Sequence, residues 1–122
     1  MLTIGRPIDG TSGIHTVPIK LMASGMTCSH RAVTYDDDGI RAFFTAMAAD
    51  WRGWAGTRAF ATLEEDLAIA ATHTGRRVEL AITMQQRAAN EHAWRVSLTI
   101  SLLPDATLDR LACDIDELFG DL

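Results

Sequence analysis

Basic charge is scarce in this chain, and lysine almost missing. Eleven lysine and arginine side chains face sixteen aspartates and glutamates, for a formal net charge of -5 at pH 7. Lys20 is the only lysine, and Arg76-Arg77 is the only adjacent basic pair, in an expected turn. A protein that grips a phosphate backbone needs a positive patch to displace counterions, so the balance argues against a nucleic-acid partner. No apolar run approaches the ~20 residues of a membrane span, and Met1 to Pro7 lacks the apolar core of a secretory signal. Membrane insertion is therefore not expected, and the cytoplasm is the expected compartment. Cysteine is limited to Cys28 and Cys113. In a cytoplasmic chain these should be two reduced, largely buried thiols. There are no internal repeats, low-complexity tracts or linkers. The near-absence of lysine beside abundant alanine suggests a G- and C-rich coding bias and a bacterial source.

What is present is hydrophobic patterning. With 122 residues and 48% hydrophobic content, the chain is read as a single domain over residues 1–122. Ile4 belongs to a short first strand. His15, Val17, Ile19 and Leu21 alternate with Thr16, Pro18, Lys20 and Met22, the period of a half-buried strand. Pro18 cannot donate a ladder hydrogen bond, which predicts an edge strand or a bulge there. Gly25 should turn the chain into a further strand from Thr27 to Tyr35. Asp36-Asp37-Asp38-Gly39 is expected to open a helix, with a carboxylate capping free backbone N–H groups. Ile40, Phe43, Phe44, Met47, Ala48 and Trp51 form its apolar stripe, and Gly53 is a plausible stop.

A run of strands follows. Thr57 to Phe60 is short. Leu67, Ile69 and Ala71 alternate with Ala68 and Ala70. After the turn Thr74-Gly75-Arg76, Val78, Leu80, Ile82 and Met84 repeat the pattern. The polar segment Arg87 to His92 is expected to be a loop. Trp94, Val96, Leu98, Ile100 and Leu102 then alternate with Arg95, Ser97, Thr99 and Ser101, the cleanest period-two segment of all. Short connections predict an antiparallel meander with one solvated face. Pro104-Asp105-Ala106-Thr107 opens a last helix, striped by Leu108, Leu111, Ala112, Ile115, Leu118 and Phe119 and ended by Gly120. Helices with a single apolar face suit a sheet covered on one side. The expected fold is α+β: an antiparallel sheet of about five to seven strands under two helices.

Motifs that carry chemistry are weak. Cys28-x-His30 is too short for a zinc site, and His15, His73, His92 and Cys113 are scattered, so no metal and no cofactor are expected. Neither cysteine has an evident base or activating neighbour. Setting Gly39 at the glycine position of a calcium loop puts Thr34 first and Thr45 last, where aspartate and glutamate are required. Glu64-Glu65-Asp66 reads as a solvated acidic rim that suits a basic partner surface. Trp51 and Trp94 are assigned to the core, whereas Trp54 is left open between core and surface. His73 is read as a loop-edge residue.

Three segments carry a family resemblance. Ala49-Asp50-Trp51-Arg52-Gly53-Trp54-Ala55-Gly56 resembles the Trp-Arg-Gly-Trp-x-Gly motif of a bacterial family known as domain of unknown function 6228. Thr62-Leu63-Glu64-Glu65-Asp66-Leu67 is similar to its Ser-Leu-Glu-Gly-like element. Ala71-Thr72-His73-Thr74-Gly75 is similar to its Ala-Thr-His-x-Gly turn. The resemblance spans residues 40–120. Thr62 stands where serine is usual and Glu65 where glycine is usual, and the second departure bears against a tight turn there. The order helix, strand meander, helix also resembles immunity proteins of the wall-associated toxin type, which neutralise a toxin by binding it. No catalytic residue comes with either resemblance.

The expected function is that of a non-enzymatic binding protein, in its most concrete form immunity-like, that meets a basic, toxin-like protein through an acidic surface as a monomer or homodimer. The alternative is a small-molecule binder or enzyme with a pocket between sheet and helices. Trp54, Arg58, Glu64, Glu65 and His73 are the candidate binding residues.

Overall fold

The computed structural model describes residues 2–9, 13–86 and 93–120. The expected loop from Arg87 to His92 lies outside the described residues. Ten elements follow in order: β1 (Leu2–Ile4), β2 (Ile8–Asp9), β3 (Ile14–Ala23), β4 (Met26–Tyr35), α1 (Ile40–Ala49), β5 (Thr57–Ala61), β6 (Leu67–His73), β7 (Val78–Gln86), β8 (Trp94–Leu102) and α2 (Ala106–Phe119). The class is α+β with antiparallel pairing throughout.

The strands divide between two sheets. In the first, β3 pairs with β4 on one side and with β1 and β2 in succession on the other. The second is the meander β5-β6-β7-β8. Their inner faces and the helix stripes share one core: Val17, Ile19, Leu21 and Ala32 from the first sheet, Phe60, Leu67, Ile69, Val78, Leu80, Ile82 and Met84 from the second, and Ile40, Phe44, Met47, Leu108, Ile115 and Phe119 from the helices. Burying each large side chain is worth about 1.5–3 kcal/mol, so this shared stripe is the main stabilising term.

Pro18 is not on an edge strand, because β3 is the middle strand of its sheet. The irregularity lies in the neighbour instead. Ile4 pairs with Ile19 and Ile8 with Thr16, so Gly5, Arg6 and Pro7 face only Val17 and Pro18. The extra residue makes a bulge at the place where Pro18 has no N–H to give. Gly5 N–H donates to the Pro18 carbonyl at 2.8 Å, and a β-carbon on Gly5 would meet Pro18 Cβ at 3.3 Å.

Four further expectations are corrected. No aspartate side chain caps α1: its N-cap is Gly39, and the carboxylates act in the preceding turn. Asp37 Oδ1 accepts from Gly39 N–H, and Asp38 Oδ2 accepts from the N–H groups of Tyr35 and Leu63. Trp51 is 44% exposed, because α1 ends at Ala49 and the stripe loses its helical phase before reaching it. Trp94 is half-buried against the core, since its strand is the last of its sheet. Cys113 is exposed, whereas Cys28 is partly buried; both are free thiols. Among the described residues no helix is long and apolar enough to cross a membrane.

Candidate functional site

The segment after α1 and the end of β6 interlock. β6 delivers His73 beside the turn Asp50 to Gly53. Its Nε2 lies 2.8 Å from the Trp51 carbonyl oxygen, and its Nδ1 lies 2.9 Å from Gly75 N. A backbone N–H can only donate, so Nδ1 accepts and Nε2 carries the proton given to Trp51. The imidazole therefore has both nitrogens committed to the backbone. Its ring stands edge-on to the Trp54 indole, with centroids 5.2 Å apart and planes at 77°. Trp54 Nε1 donates to the Ala71 carbonyl at 3.4 Å.

Arg58 closes the other side. It projects from the inner face of β5, with its guanidinium 4.8 Å from the Trp54 ring centroid. One arm donates to the Ala46 carbonyl near the end of α1, and the other pairs with Asp50 Oδ2. The Ala46 carbonyl also accepts from Asp50 N–H, so Arg58 adds a second donor there and places a cation at the negative end of the helix dipole. Trp54, Arg58 and His73, three of the five candidate binding residues, thus form one cluster. Its chemistry is the fastening of α1 to the second sheet.

Glu64 and Glu65 are not part of that cluster. They lie in the turn before β6, whereas His73 ends it; seven residues of strand separate the two ends by about 20 Å. Both glutamates are exposed. Asp66, expected to share their solvated rim, is 7% exposed and does different work. Its Oδ2 accepts from Val33 N–H of β4 at 2.8 Å, and its Oδ1 accepts from the Thr62 hydroxyl. That hydroxyl oxygen also accepts from Leu67 N–H. His30 Nε2 is 4.0 Å from the same carboxylate, and its ring meets Trp94 edge-on at 4.9 Å. Asp66 is therefore a staple between the two sheets. The signal for it was a hydroxyl four residues before an aspartate at the mouth of a strand.

Glu65 adopts φ +56°, the left-handed region that favours glycine. The tight turn is kept despite the side chain: Glu65 N–H donates to the Thr62 carbonyl, and Gln85 Nε2 donates to the Glu65 carbonyl. The expectation drawn from the missing glycine is corrected by this geometry.

A depression missed from sequence lies on the helical side. It has a volume of about 780 Å³ and opens between α1 and α2. Thr45, Ala48, Ala49, Ala112 and Cys113 give it small walls, and Asp109, Asp116 and Glu117 line it with carboxylates. Asp116 Oδ1 also accepts from Arg41 Nε at 2.9 Å and Nη2 at 2.7 Å, tying the helices together. Along α2, Asp109, Asp114, Asp116 and Glu117 are exposed, and Arg110 is the one basic residue of the helix itself. Among the described residues no group of three or more His, Cys, Asp or Glu is arranged to hold a metal ion.

A family described as being of unknown function, DUF6228, matches residues 6–121. The chain belongs to that family. No curated protein and no solved structure matches. The match reaches well before residue 40, so it takes in β2, β3 and β4 of the first sheet as well as the motifs that resemble the family. Two of those motifs build the joint: Trp51 to Gly56 supplies the turn and the Trp54 ring, and Ala71 to Gly75 supplies the acceptor carbonyl, His73 and its backbone partner.

Proposed function

We propose that this protein is a non-enzymatic binding protein whose acidic helical face receives a basic protein partner. The supporting observation is the depression between α1 and α2, where Asp109, Asp116 and Glu117 surround walls of alanine and other small side chains. Small walls admit a protruding side chain or loop from the partner. Carboxylates around them attract lysine and arginine, raise the association rate and fix the docking register. Arg41 neutralises Asp116 in part, leaving Asp109 and Glu117 as the stronger attractors. The His73 cluster favours the same reading from the other direction, because its polar atoms are turned inward onto the backbone.

In its finer form the reading is of a cytoplasmic bacterial immunity-like protein, with a basic toxin as the partner that it occludes. The order of helix, meander and helix supports that form, as pattern similarity alone. Co-purification from the native host at low salt, followed by identification of the bound protein, tests it. The wild-type chain should retain a basic protein, lose it as salt rises, and lose it at low salt in the variant D109K/E117K. Recovery of the wild-type chain alone, or equal retention by the variant, overturns the proposal.

A further inference from the structure

The sheet edges are protected unequally. The β1–β2 edge is broken by the bulge at Gly5 to Pro7. The free side of β4 has its Val33 N–H taken by Asp66. β5 is five residues long. β8, the other edge of the meander, runs nine residues, Trp94–Leu102, without proline, glycine, lysine or a break. An edge of that kind presents a row of backbone donors and acceptors to any strand of matching pattern, and natural proteins ordinarily blunt it.

We infer that β8 pairs antiparallel with β8 of a second copy of this chain, about a two-fold axis at Leu98, so that two four-stranded meanders become one continuous sheet. Three observations select this occupant and this register. First, it is the antiparallel register that pairs all nine residues: Leu98 faces Leu98, Val96 faces Ile100, and Trp94 faces Leu102 of the other copy. These five side chains are all only half-buried in the single chain, although they continue the inner apolar face of the meander. Second, the outward side chains are compatible, because Ser97 faces Thr99 and Arg95 faces Ser101, so no like charges stand opposite each other.

Third, the charges are complementary across the joint. Glu79 on β7 is the cross-strand partner of Ser101, and it is exposed on the same outer face. In the paired register Arg95 of each copy lies on the far side of Ser101 in the other. That sets it two strand spacings, about 10 Å between α-carbons, from Glu79. Both side chains are long enough to close that gap over the small serine. The two-fold axis repeats the pair, so each dimer has two Glu79–Arg95 contacts. This inference does not rest on the basic-partner reading, since none of its residues lines the depression between the helices.

Analytical ultracentrifugation of the purified chain tests it through a charge swap. The wild type should sediment at twice 13.3 kDa. R95E and E79R should each raise the dimer dissociation constant about tenfold by setting like charges together. The double variant R95E/E79R should return it towards the wild-type value. Both residues are exposed, and circular dichroism should show each variant folded. A wild type that stays monomeric at every concentration, or a dimer indifferent to both reversals, overturns the inference.

Discussion

The His73 imidazole stands edge-on to the Trp54 indole while its Nε2 donates to the carbonyl of Trp51, so that one side chain of β6 holds both tryptophans of the turn. The exposed Trp51 contributes its backbone and the half-buried Trp54 its ring. This division explains why two indoles three residues apart need not both be core residues. A helix and a sheet are joined by one aromatic contact, one cation over a ring, and side-chain hydrogen bonds to the backbone.

Replacing His73 by alanine removes the proton given to Trp51 and the acceptor for Gly75 N–H. Each hydrogen bond is worth about 0.5–1.5 kcal/mol net, so H73A should lose ~1–3 kcal/mol. The urea midpoint measures this. An unchanged midpoint would remove the joint from among the stabilising features.

Arg58→Lys keeps the charge but cannot reach the Ala46 carbonyl and Asp50 while lying flat over Trp54. Arg58 and Asp50 are partly solvated, so the ion pair itself is worth little, and the loss should be about 1 kcal/mol. The thermal midpoint should fall by a few degrees, and D50N should fall by less.

Asp66→Ala leaves the Val33 N–H and the Thr62 hydroxyl without their acceptor in a buried place. It should cost about 2–4 kcal/mol. Thr62→Ser keeps the hydroxyl and should stay within about 1 kcal/mol of wild type. Equal effects of the two variants in denaturant titrations would refute the staple.

Glu65→Gly relieves a left-handed conformation at the cost of a freer unfolded chain. The first term is about 1–2 kcal/mol and the second about 0.5–1, so the backbone balance lies between about 0 and 1.5 kcal/mol in favour of the variant. Both backbone hydrogen bonds at this position survive the change. A lower thermal midpoint in the variant would contradict it.

Asp105 caps α2, and hydrogen bonds from the backbone and side chain of Thr107 hold its carboxyl below the ordinary carboxylate range. A folded value depressed below the unfolded one makes the cap fully stabilising above the ordinary range. The contribution is lost as pH falls through the lowered value. D105A should therefore melt below wild type at neutral pH and converge with it in strong acid. A gap independent of pH would show that the carboxylate charge plays no part.

The alternation of Val17, Ile19 and Leu21, and of the apolar residues from Leu67 to Leu102, made strands legible because side-chain direction repeats every two residues whatever the rest of the chain does. The helix stripes were legible for the same local reason. Pro18 was misplaced because a missing N–H says that a ladder bond is absent but not which strand carries the bulge. Asp66 was grouped with Glu64 and Glu65 because burial depends on β4, a strand more than thirty residues away in the chain.

Local chemistry by itself thus determined the antiparallel strands, the two amphipathic helices, the turn positions and the acidic balance, since each follows from the order of side chains along the backbone. Only the tertiary structure decided that the strands split into two sheets, that His73 and Arg58 converge on Trp54 while Glu64 and Glu65 stand at the other end of β6, and that the carboxylates of α2 face the small residues of α1. Those relations depend on which surfaces exclude water together, and contacts between residues distant in the chain settle that through shape and burial, which have no period to read.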